Sequence, residues 1–158
     1  MKHIITEILM INICPFCETG NQQSAFALSG HNKAIYNLSP ILPGHSLVVP
    51  LKHVSSLFEL TEAEISEFFS FARKVTAFLC EVYETDAYDW SLQEGAEAGQ
   101  SIEHLHLHII PRKTDDLPQG EDWYDKLQHS VDPQNKARIV LSEGEYYSIT
   151  GKLKELWK

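Results

Sequence analysis

Apolar residues recur along this chain with two periods. Between residues 61 and 82 the spacing is helical, with Ile65, Phe68, Phe69, Ala72, Val75, Leu79 and Val82 on one stripe. Thr61, followed three positions later by Glu64, is a capping-box pattern that predicts where this helix begins. The stripe reads as core, and Cys80 on the same helix reads as a buried thiol rather than a reactive one. Elsewhere the runs are short and strand-like, at 24–28, 33–37, 45–50 and 88–93, with turn signals at Gly30-His31-Asn32 and Pro43-Gly44. Residues 104–110 alternate histidine with aliphatic side chains until Pro111 stops the run. Residues 14–21 read as a turn or short loop, and 95–101 as a loop of small residues. Beyond Lys113 the chain turns polar, with a short helix expected near 121–128 and a terminal one near 143–157 capped by Ser142. A strand–loop–strand unit with helices elsewhere predicts an α+β fold, an antiparallel sheet with the long helix packed on it.

Length and charge narrow the partners. A chain of 158 residues is large enough for one domain with a substantial core. Thirteen basic against 22 acidic residues leave a formal net charge of −9, which disfavours nucleic acid as a partner. An anionic substrate would have to be held by local donors against that field. The apolar run Ile8–Ile13 is far short of the roughly 20 residues of a membrane span. Residues 1–13 mimic a signal peptide only weakly, since Glu7 breaks the apolar part and no small-residue cleavage site follows. Three cysteines, an odd number, argue against a secreted disulfide framework, so a cytoplasmic location is expected.

Two constellations carry candidate chemistry. In His104-Leu105-His106-Leu107-His108-Ile109-Ile110, strand alternation puts the three imidazoles on one face and Leu105, Leu107 and Ile109 on the other. Imidazole serves as nucleophile, general base or metal ligand near neutral pH. An exposed strand face also carries scattered histidines, and a single catalytic metal on all three is a further reading. Same-face strand neighbours stand roughly 6.6–6.8 Å apart, however, and fan out rather than converge. The loop around Gly95 and Gly99 would let backbone N–H groups approach phosphate oxygens, although such loops are often plain turns. The second constellation is Cys14-Pro15-Phe16-Cys17, which alone reads as a redox pair, half a zinc site or chance.

The run Gly99-Gln100-Ser101-Ile102-Glu103-His104-Leu105-His106-Leu107-His108-Ile109-Ile110, with Pro43-Gly44-His45-Ser46-Leu47-Val48-Val49-Pro50 upstream, resembles the histidine-triad (HIT) superfamily. Residues 91–100 and Pro111-Arg112-Lys113 look closest to its fragile-histidine-triad branch, which cleaves dinucleoside polyphosphates. The resemblance implies a HIT-like domain over 1–158, with 113–158 as a C-terminal helical extension. It implies His106 as the nucleophile at the α-phosphorus, His108 as a phosphate ligand, and His45 and Gln100 as further catalytic residues. Asn37, Gln93, Gly99 and Ser101 are implied at the substrate, a purine nucleotide. Arg112 and Lys113 would add local positive charge. Many microbial members and the related uridylyltransferases carry a zinc set that matches Cys14, Cys17, His53 and His104 here. That implies a structural zinc whose ligand His104 pins the chain orienting His106. Homodimers are usual in the family. A phosphoramidate hydrolase of the sister Hint branch and a nucleotide-binding regulatory protein are the alternatives.

Overall fold

The computed structural model describes residues 14–18 and 24–158; the expectations for residues 1–13 and the end of the 14–21 turn lie outside them. Among the described residues, five strands form one antiparallel sheet: β1 (Ala25–Ser29), β2 (Asn32–Tyr36), β3 (Ser46–Pro50), β4 (Ala87–Leu92) and β5 (Leu107–Arg112), in the order β1-β2-β3-β5-β4. The long helix α1 (Glu62–Val82) runs between β3 and β4. Two helices, α2 (Trp123–Gln128) and α3 (Glu143–Leu156), follow the sheet. No helix among the described residues is long and apolar enough to cross a membrane.

Helix α1 starts where its capping box predicts: Thr61 accepts from the Glu64 backbone and Glu64 reaches back to the Thr61 backbone. Its inner face packs Phe68, Ala72, Val75 and Leu79 on Phe26, Ala34, Tyr36, Val48, Leu107 and Ile109 of the sheet. Phe71 and Thr76 are also buried, while Ile65, Phe69 and Val82 are only half-buried. The polar Thr76 is tolerated there because its hydroxyl accepts from the Trp90 indole and donates to the Ala72 carbonyl. Cys80 is half-buried rather than buried, and desolvation raises its pKa, so its thiol is disfavoured as a thiolate. Helix α3, capped by Ser142 as predicted, adds Leu153 to the same core, and Trp157 just beyond it meets Phe78 and Phe71 edge-on.

The opposite face of the sheet has its own cover. Ala25, Ile35, Leu47 and Val49 alternate with the core residues and pack with Phe16 from the Cys14–Cys17 turn. Further along, Ile110 packs with Ile41, Leu42 and Leu127 of α2. The candidate functional residues lie on this second face.

Two strand expectations need correction. β5 begins at Leu107, so of the three histidines only His108 lies on it. His104 and His106 precede it in a segment whose backbone is bonded elsewhere, with Leu105 N–H donating to the Val54 carbonyl at 2.6 Å. Nor does Pro111 end the strand: it pairs with Tyr88, beyond the last β3 partner at Ile109. With β3 no longer alongside, a missing N–H is tolerated as on an edge strand.

Candidate active site

His45 is set by the turn before β3. Gly44 takes φ +89°, and a Cβ there would meet Pro111 Cγ at 2.8 Å and the Tyr83 ring at 2.9 Å, so only glycine fits. The imidazole that follows is fully buried. Ile41 N–H donates to its Nδ1 at 3.2 Å, which leaves the proton of the neutral ring on Nε2. That Nε2 lies 2.9 Å from His108 Nδ1 and donates to it. The proton of neutral His108 therefore sits on its own Nε2, a donor suited to an anion. Burial, with His106 adding to it, pushes the His45 pKa down to about 3. Burial, then His45 and His106, hold His108 well below the usual imidazole range.

His106 is fixed differently. Its Nδ1–H donates to the His104 carbonyl at 2.7 Å, so Nε2 keeps its lone pair. Burial lowers its pKa and the carbonyl bond partly opposes this. Phe16 lies edge-on to the ring, with centroids 5.3 Å apart. Gln93, buried just beyond the end of β4, follows two residues after Ser91, which pairs with His108. The Asn37 amide nitrogen lies over His45, 3.4 Å from Nδ1 and 3.1 Å from Nε2, and its oxygen accepts from Ser39 N–H.

The loop from Gly95 to Gln100 departs from its expected use. The backbone N–H groups of Gly95, Ala98, Gly99 and Gln100 are all bonded within the loop. Both ends of the Gln100 amide are engaged too, its oxygen with Gly95 N–H at 2.8 Å and its nitrogen with the Ser55 carbonyl at 3.1 Å. Those four N–H groups are thus occupied rather than open to a phosphate, and Ser101 just beyond the loop is exposed. Arg112 is likewise committed: its guanidinium contacts Asp89 at 2.6 Å and Asp116 at 2.8 and 3.0 Å. Its charge is neutralised locally, so it does not supply the positive field expected of it.

Cys14, Cys17, His53 and His104 converge, their ligand atoms all within 4.8 Å of one another. His104 Nε2–H donates to the Pro50 carbonyl at 2.9 Å, leaving Nδ1 bare and facing Cys14 Sγ at 3.4 Å and Cys17 Sγ at 3.5 Å. His53 Nδ1 lies 3.2 Å from Cys17 Sγ. A zinc tetrahedron with bonds of about 2.0–2.3 Å separates neighbouring donors by roughly 3.3–3.8 Å, and two thiols with two imidazoles are its usual donor set. The four side chains fit such an ion, and the Pro50 carbonyl fixes the His104 tautomer as a metal ligand needs.

Two residues of this region escape the sequence patterns. Lys33 is buried on the site face of β2 and donates to the Phe16 carbonyl at 2.6 Å, tying the Cys14–Cys17 turn to the sheet. Desolvation lowers its pKa, opposed by the nearby cysteines. Glu94 takes Ser56 Oγ at 2.8 Å and Leu57 N–H at 2.6 Å, anchoring the root of the loop. Lysine and glutamate in these positions read as ordinary surface charges until the sheet is assembled.

A HIT domain model matches residues 19–115. The chain is 38% identical over 115 residues to a bis(5'-nucleosyl)-tetraphosphatase [asymmetrical] of Schizosaccharomyces pombe, covering 73% of this chain and 62% of that protein. It therefore spans less than two thirds of that relative's length. It is 32% identical over 124 residues to a bis(5'-adenosyl)-triphosphatase of Dictyostelium discoideum, covering 78% and 83% of the two chains. Among solved structures, a hypothetical histidine triad nucleotide-binding protein of Sulfolobus tokodaii superposes with a TM-score of 0.70 at 25% identity, covering 90% and 91%.

Proposed function

Because the chain belongs to the HIT domain family, we propose that it hydrolyses dinucleoside polyphosphates at the α-phosphorus through a nucleotidyl-histidine intermediate. The observation that carries this reading is the bond from His106 Nδ1–H to the His104 carbonyl at 2.7 Å, which leaves Nε2 as a bare, oriented nucleophile. Nε2 forms a bond to phosphorus as the bond to the bridging oxygen breaks, and the departing nucleotide takes the electron pair. A polyphosphate is a good leaving group at neutral pH and needs little protonation. The imidazolium formed at His106 keeps its Nδ1 proton on the carbonyl. Water then displaces the histidine, a nucleoside monophosphate leaves, and the surplus proton passes to solvent. His108, relayed from Ile41 through His45, donates from Nε2 to an α-phosphate oxygen as charge develops there. Asn37, Gln93, Gly99 and Ser101 complete the substrate site in this reading, and Gln100 holds the loop in shape.

The same reading assigns a zinc ion to Cys14, Cys17, His53 and His104, where it would supply structural rigidity beneath the His104 carbonyl. It takes residues 1–158 as one HIT-like domain with 113–158 as its helical extension, a purine nucleotide as substrate, and a homodimer as the assembly. Its location is cytoplasmic, which suits Cys14, Cys17 and Cys80 standing outside any disulfide among the described residues.

The test is product analysis with diadenosine triphosphate, diadenosine tetraphosphate and adenosine phosphoramidate, with His106→Asn alongside. AMP released from a dinucleotide by wild type and not by the variant is expected. Turnover of the phosphoramidate alone would move the protein to the Hint-like reading. Nucleotide binding with no turnover would make it a regulatory binder, and equal rates in His106→Asn would overturn the nucleophile.

A further inference from the structure

The N–H groups of Gly95, Ala98, Gly99 and Gln100 and both ends of the Gln100 amide already have partners, so they are not free to meet the rest of the polyphosphate. Two other amides stand at the same place. Gly99 takes φ +95°, and a Cβ built on it would lie 2.9 Å from Gln93 Nε2 and closer still to Gln128 Oε1. The absent side chain thus makes room for two glutamines, one from the end of β4 and one from α2. Gln93 is only 9% exposed. Among the described residues, the amide nitrogens of both Gln93 and Gln128 are buried with no hydrogen-bond partner. A fold seldom leaves a buried N–H group unbonded, and two together call for an acceptor that arrives from outside. Gln93 follows two residues after Ser91, the β4 partner of His108, so that acceptor belongs to the reacting molecule. Phosphate oxygens only accept, and uncharged donors suit them in a chain of net charge −9.

We propose that Gln128, contributed by α2 of the C-terminal extension, is a substrate-binding residue. It joins Gln93 in donating from its amide nitrogen to phosphate oxygens beyond the α-phosphate. The proposal rests on the hydrolase reading above and adds to it a residue that selects for a polyphosphate chain over a short leaving group. It also gives α2 a task besides packing Leu127 against Ile110.

The experiment uses the full chain in a His106→Asn background, so that binding is read without turnover. Gln128→Leu should weaken diadenosine triphosphate by roughly tenfold or more, the range expected for a lost hydrogen bond to a charged group. AMP binding should stay unchanged. Because the substitution removes an unbonded buried N–H group, the melting temperature should hold or rise. Gln128→Glu, which points a carboxylate at the phosphates, should weaken the dinucleotide further. Unchanged dinucleotide affinity in Gln128→Leu would overturn the proposal. So would an equal loss for AMP together with a lower melting temperature, which marks a structural role. If the His106→Asn parent binds AMP but no dinucleotide, the hydrolase reading fails together with this one. If the parent binds both and Gln128→Leu changes neither, only the role of Gln128 falls.

Discussion

At His45, burial, with nearby His106 adding to it, opposes an added proton, and the pKa falls to about 3. In the unfolded chain the same imidazole titrates near 6.5. The neutral form is the folded form, so the unfolded state binds the extra proton first and stability rises with pH across that interval. The contribution is complete above about pH 6.5 and is lost as pH falls toward 3. Its limiting slope is roughly 1.4 kcal/mol per pH unit for each such histidine. His108 shares the direction of shift and its cause. Melting curves taken from pH 7 to pH 4 should therefore fall more steeply for wild type than for His45→Gln, which has no imidazole to charge. Parallel curves would mean that His45 is not held neutral by the fold.

Among the elements, α1 was legible because two independent signals coincide on it, the Thr61–Glu64 box and the apolar stripe. The prediction that goes with it is quantitative. Phe68 is fully buried between α1 and the sheet, so Phe68→Ala should cost roughly 3–5 kcal/mol. At roughly 2–4 °C per kcal/mol for a chain of this size, the melting temperature should drop by roughly 6–20 °C. The strands were legible to within a residue or so, because their faces alternate between two different covers. The start of β5 was not. Side-chain alternation continues through His104 and His106, whereas the ladder does not, since the Leu105 N–H bonds to the Val54 carbonyl and the His104 carbonyl to the His106 ring instead. Alternation reports where side chains point and is silent on whether a neighbour strand is present. The four metal-type residues were legible only by resemblance: Cys14 and Cys17 are close in sequence, but His53 and His104 join them through the fold. Lys33, Glu94 and Gln128 left no periodic trace, because each acts through one contact with a distant segment.

For the whole molecule, the sheet separates two tasks. One face and α1 make the core, and the other carries the histidines, the cysteine cluster and α2. Lys33 and Phe16 join the cluster to the histidines, so the four metal-type side chains and His106 rest on the same few residues. Purified protein should hold about one zinc per chain, and a Cys14→Ser/Cys17→Ser variant should hold almost none, as read by elemental analysis. Chelation should also lower the melting temperature of wild type while leaving that of the variant unchanged. Equal zinc in both proteins would remove the site. The orientation of His106 has an unusual kind of security. The acceptor that orients His106 is the main-chain carbonyl of residue 104, which every amino acid supplies. His108, by contrast, is oriented by the side chain of His45, which a single codon change deletes. In a saturation scan the tautomer of His106 should therefore have no partner position of its own. Its tolerance is written into the backbone, and only changes that move the chain at 104–106 can reach it.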